Sequence, residues 1–271
     1  MTGLRTHRYL RLALVGIVVA LAASVLIEFV RSDGRLLPSI SAYYFSPAHG
    51  VFVGALSAAA IALLALAGRD AESALLDVAA VFAPLIAIIP TRAPDDATLP
   101  PDVLSTVLNG VGVYTVVVIV VAALGVVLAS RGEIAWRRVA IVGTVALTTA
   151  AVLAVLAFAP GPASSFPFPG GVNLHLVVTA GFFAMFAIVP WVTVLGRGDE
   201  RPAPAYRRVY IAVSVVIVIA LVVTVVATFA VPDSGAVFLG EAVALTAFAV
   251  YWTTQTIERW SDADPPSILP R

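Results

Sequence analysis

The chain has 271 residues, of which 61% are hydrophobic and 12% charged, with a formal net charge of +0 and a mean hydropathy of +1.02. A soluble domain carries about 25% charged residues, so this composition excludes one and calls for a bilayer as solvent, while the balanced charge gives no basis for nucleic-acid binding. Cysteine is absent and all sixteen basic residues are arginine, which removes disulfides, thiolate metal sites and any Schiff-base lysine.

The expected fold class is all-α, a polytopic transmembrane bundle forming a single membrane domain over 1–271. Eight spans are placed at 12–30, 48–67, 74–89, 110–129, 139–158, 172–195, 209–231 and 236–257, each near the ~20 residues that cross a hydrocarbon core. Arg5, Arg8 and Arg11 precede the first run as a basic start precedes a signal peptide. That run exceeds the ~7–15 residues of a signal core and closes on Glu28-Phe29-Val30-Arg31, so it reads as a retained span. Pro84 and Pro90 predict a kink or early end in the third span, and Pro190 the same near the inner end of the sixth, because proline removes a helical hydrogen bond. Pro101 suits the first turn of a helix, here a short outer one that breaks near Asn109-Gly110 before the fourth span. The uncharged connector PGPASSFPFPGG at 160–171 is suited to rest among lipid headgroups. No convincing internal repeat appears.

Arginine placement orients the bundle. With the N-terminus inside, thirteen arginines fall on inner segments, among them Arg131, Arg137 and Arg138, and only Arg31, Arg35 and Arg92 fall outside. The positive-inside rule then places both termini in the cytoplasm. Trp136, Trp191, Trp252 and Trp260 lie at or near inner ends, where indoles favour the interface. A basic complement made wholly of arginine is what a GC-rich prokaryotic genome encodes, and the expected location is the plasma membrane.

Ionisable groups within spans are costly and face the bundle interior more often than lipid. Four lie toward the outer side: Glu28, His49, His175 and Glu241, from spans one, two, six and eight. Glu28 sits near a helix C-terminus, which disfavours an anion; the plain reading is an ion pair with Arg31 at i+3. Glu241 sits in an early turn of span eight, where the dipole favours a carboxylate. Its plain role is a packing hydrogen bond, its sharper one a proton acceptor or cation ligand. Phe248, Trp252, Gln255 and Arg259 follow it at helical spacing, marking a buried face. His49 and His175 read most simply as satisfied interfacial residues. Two imidazoles and two carboxylates suit a divalent metal, but no HxxxH or HExxH spacing supports one, so the metal question stays open and no cofactor is called for. Asp77, after Asp70, Glu72 and Ser73, reads as an acid at a helix start. His49 also opens a ladder of small residues, Gly50, Gly54 and Ala58, that permits close helix approach and offers a face to a partner membrane subunit.

The stretch LPSIS-AYYFSP-AHGVFVG resembles the first outer loop and second span of the family that includes damage-regulated autophagy modulators and GPI-anchor lipid-remodelling membrane proteins. The residues that carry the resemblance are Pro38, Ser39, Ile40, Ser41 and Pro47, within 36–67. The family has fewer spans than the eight counted here. The resemblance implies membrane lipid handling and assigns no catalytic residue. The last span, with YWTTQTIERW at 251–260, resembles prokaryotic integral membrane proteins of no assigned function.

The first functional expectation is a protein that binds, remodels or senses lipid at the outer leaflet, with membrane lipids as its partners. If it has chemistry, Glu241 or Glu28 serves as general base and His49 or His175 orients or shares the proton. The alternatives are a small-solute or proton-coupled transporter and a non-catalytic subunit of a larger membrane complex.

Overall fold

The computed structural model describes residues 2–66, 71–92, 99–195, 202–231 and 234–260. Eight α-helices carry the chain: α1 (Thr2–Arg31), α2 (His49–Leu66), α3 (Ala71–Ile88), α4 (Pro101–Ser130), α5 (Trp136–Phe158), α6 (Leu174–Val194), α7 (Pro204–Ala230) and α8 (Ala236–Glu258). Short 3-10 turns occupy Ser41–Phe45, Pro162–Ser165 and Pro169–Gly171, and no strand occurs among the described residues. Seven of the helices are long and apolar enough to cross a membrane, and the chain is an integral membrane protein.

The helices make a closed ring. Neighbour packs on neighbour in the order α1, α2, α3, α6, α7, α8 and back to α1, while α4 and α5 form a hairpin set against α3. At the ring's seam the Arg8 guanidinium donates to the Trp260 carbonyl and lies 4.0 Å over the Trp260 ring. The start of α1 and the end of α8 therefore share one end of the bundle, as eight passes require. That end is called inner below, following the arginine bias.

α3 is the exception in length. Its apolar run, Ser73–Ile88, falls short of the other seven, and its 18 residues rise about 27 Å at ~1.5 Å each. From Ser73 to Pro90 no residue is exposed. A helix walled in by protein on every side need not match the hydrocarbon thickness that lipid-facing helices meet.

Pro84 and Pro190 do not end their helices but lie inside them, whereas α3 stops at Ile88, just before Pro90. Each internal proline removes the hydrogen bond to the carbonyl four residues back, and in both cases a neighbouring helix places a hydroxyl on the next carbonyl along. Val81 O, three residues before Pro84, accepts from Tyr114 Oη of α4 at 3.1 Å. Ala187 O, three before Pro190, accepts from Ser214 Oγ of α7 at 2.8 Å.

The break expected at Asn109-Gly110 does not occur. α4 runs unbroken over 30 residues from Pro101, and Gly110 instead lets α4 approach α3, since a Cβ there would lie 2.8 Å from Ile88 Cγ2. The uncharged 160–171 connector also departs from expectation, folding onto protein: Phe166 is buried, and Gly171 O accepts from Arg92 Nη2 at 2.9 Å. Trp136, Trp191 and Trp260 are exposed, as interfacial indoles are, but Trp252 is 1% exposed. It sits among Phe186, Phe248 and Tyr251, with ring centroids 5.0–6.1 Å away. Phe248, Trp252 and Gln255 of the expected α8 face are all buried.

Asp77 is more than an acid at a helix start. Its Oδ2 accepts from Arg138 Nε of α5 at 2.6 Å, with the two side chains 7% and 21% exposed respectively. The pair joins the α4–α5 hairpin to the ring at the inner end.

Candidate functional site

The outer end is closed by the 32–48 segment, and α8 is what holds it down. Pro38 O accepts from the Phe238 N–H at 3.1 Å. Ser39 Oγ accepts from the Ala42 N–H at 2.9 Å, capping the turn that starts the Ser41–Phe45 helix. Ser41 then donates twice to Glu241: its N–H to Oε2 at 3.0 Å and its Oγ to Oε1 at 2.7 Å. Both carboxyl oxygens act as acceptors, and Glu241 is only 8% exposed. The preceding residue, Gly240, brings α8 against α7, where a Cβ would collide with the Thr224 hydroxyl. The Pro38–Ser41 run singled out in the sequence is thus a clasp between an outer loop and α8.

The other three expected site residues face elsewhere. His49, the first residue of α2, points its Nδ1 at Tyr44 O, 2.8 Å away, and stands edge-on to the Tyr44 ring at 4.4 Å. It secures its own loop. His175 follows the Asn173 cap of α6, whose side chain accepts the His175 N–H at 3.1 Å. Its Nδ1 lies 2.6 Å from Ile89 O, at the end of α3, where Pro90 stops the helix from satisfying that carbonyl itself. Donation from Nδ1 leaves Nε2 as an acceptor, and Nε2 is buried without a partner. Glu28 is half-buried on α1. The ion pair expected with Arg31 does not form, since Asp77–Arg138 is the ion pair found among the described residues. No two of the four hydrogen-bond each other. Among the described residues, no group of three or more His, Asp or Glu side chains is placed to hold a metal.

Glu241 borders a cavity. A space of about 60 Å³ lies inside the ring beneath the Ser41 clasp, walled by Phe52 and Ala55 of α2, Phe182 of α6 and Phe248 of α8. Its polar wall is Ser41, Glu241 and Thr179. Thr179 is 7% exposed, and its hydroxyl has no hydrogen-bond partner. A larger groove of about 270 Å³ runs along the outer half of the seam between α1 and α8, past Ala22, Phe29, Phe238 and Ala242. Val18, Leu21, Ile40 and Leu245 line both spaces, so only these side chains separate the groove from the polar interior.

Thr179 was not apparent from sequence. The available signal was its position four residues after His175, which puts the two polar groups on one face of α6. No family model, curated protein or solved structure matches the chain.

Proposed function

We propose that this membrane protein binds lipid drawn from the outer leaflet, seating an acyl chain in the groove between α1 and α8. The observation that carries the reading is an apolar groove on the lipid-facing flank that shares four wall residues with a cavity lined by Ser41, Glu241 and Thr179. Such a path suits an amphiphile: its tail replaces bilayer contacts with equivalent apolar ones, and its polar end meets groups that hydrocarbon cannot satisfy. The arginine bias supports the sidedness, with both termini cytoplasmic and the groove at the outer leaflet. The resemblance of 36–67 to a lipid-handling family points the same way. A transport reading is less well supported, because, among the described residues, Glu241 is the one ionisable side chain on the cavity wall.

Ala22 lines the groove, while the adjacent Ala23 does not, and both are exposed. Ala22→Trp is expected to cut labelling of the seam by a photoactivatable acyl-chain phospholipid in liposomes about tenfold, with Ala23→Trp labelling like the wild type. Equal labelling of both variants would remove the groove from consideration.

A second reading rests on α2. Gly50, Gly54 and Ala58 are all exposed, and a Cβ at Gly50 or Gly54 would meet nothing within 4 Å. The bundle packs α2 through Phe52, Ala55, Ala59 and Leu63 and leaves the small-residue ladder unused. This supports a partner helix from another membrane subunit seated there. Gly54→Leu is expected to abolish co-purification of such a subunit from native membranes without lowering the melting temperature. An unchanged set of co-purifying proteins counts against the partner.

A further inference from the structure

Resting on the groove reading above, we infer that the preferred ligand is a neutral amphiphile whose polar end is a hydroxyl group. The cavity beneath the clasp is small, about 60 Å³, and suits a compact polar end. Of the three polar side chains that line it, Ser41 is engaged with Glu241, and the other two are complementary in kind. Glu241 has both oxygens accepting from Ser41 and retains lone pairs, so it presents an acceptor. Thr179 presents a hydroxyl that nothing in the protein engages. A buried hydroxyl left unpaired is destabilising, so it favours a ligand that can accept its proton.

A ligand hydroxyl supplies both missing halves at once, donating its proton toward Glu241 and accepting the Thr179 proton on its oxygen. A carboxylate head would only accept: it could take the Thr179 proton but has none to offer the Glu241 oxygens, in a space otherwise walled by Phe52, Phe182 and Phe248. An ammonium head would only donate and would leave the Thr179 proton unmatched. Apolar walls reaching from Leu21 and Ile40 to the groove hold the chain that follows.

The test uses two clickable photoactivatable probes of equal chain length, a long-chain alcohol and the corresponding fatty acid, added to the full protein in liposomes of phosphatidylcholine. The alcohol is expected to label seam peptides from α1 and α8 at least tenfold more than the acid. Thr179→Val is expected to lower alcohol labelling about tenfold and to leave acid labelling unchanged. Because that hydroxyl has no partner in the protein, the valine variant is expected to melt no lower than the wild type, which separates a ligand-binding hydroxyl from a structural one. Equal labelling by alcohol and acid, or an unaltered preference in Thr179→Val, overturns the ligand class and leaves the groove reading standing. Absence of seam labelling by either probe, with the cavity occupied by water alone, overturns both.

Discussion

Arg138→Ala is expected to destabilise the protein by about 3–5 kcal/mol, the cost of leaving one member of a buried ion pair without its partner. The stranded group is Asp77, whose side chain is 7% exposed on a helix with no exposed residue between Ser73 and Pro90. The reverse variant is milder. Arg138 is 21% exposed, so in Asp77→Ala its guanidinium turns toward the inner headgroups, and the expected loss is nearer ~1–2 kcal/mol. Replacing both at once by Asp77→Leu with Arg138→Met is expected to recover most of the stability, because a well-packed apolar pair often equals a buried ionic one. Thermal unfolding in lipid nanodiscs measures all three variants. Equal losses in the two single variants would show that the burial difference does not govern the pair. The α4–α5 hairpin is the element that loosens, since α3 is the ring helix against which it packs.

Glu241→Ala is expected to cost about 3 kcal/mol. Two Ser41 donors lose their acceptor in a buried setting, and each stranded donor costs about 1–3 kcal/mol. Glu241→Gln keeps one acceptor oxygen for two donors, so about half of the loss is expected. The structural signature is local: the 32–48 segment, tied to α8 only through the Phe238 N–H to Pro38 O bond, becomes more readily cleavable by protease added from the outer side, while the inner loops stay as in the wild type. A Glu241→Ala protein that melts and resists cleavage like the wild type would show that Ser41 is not the clasp.

The bundle was legible in the sequence because apolar runs of span length and asymmetric arginines report on solvent, and solvent dictates membrane architecture. Partners were not, because they lie far apart in the chain. Asp77 and Arg138 are 61 residues apart, and nothing local distinguishes an acid that caps its own helix from one that reaches another. The same blindness hid Ser41 as the partner of Glu241, and Tyr114 and Ser214 as the hydroxyls bonded within the turns before two prolines. Glycine misled for a related reason. Gly110 signals equally a break or a close approach, and only the position of Ile88 decides between them. His49 and His175 were recognisable as polar groups at one depth, but their directions depend on which carbonyl lacks a donor: Tyr44 O for one and Ile89 O for the other. The plain expectation for Glu241, a hydrogen bond to another span, differs from what forms: its partner is Ser41 in the 32–48 segment.

The seam also fixes an order of assembly. Ser41 and Glu241 are 200 residues apart, and Arg8 and Trp260 are 252 apart, so α1 enters the bilayer long before the helix that locks it in place has been synthesised. Through that interval the ring is an open arc, and the Ser41 donors have only headgroup water to satisfy them. Contacts of such long range form late, which makes closure of α8 onto α1 the committing event of biogenesis. Nascent chains stalled before 236 expose both free edges of the arc, the form in which a membrane protease would meet them.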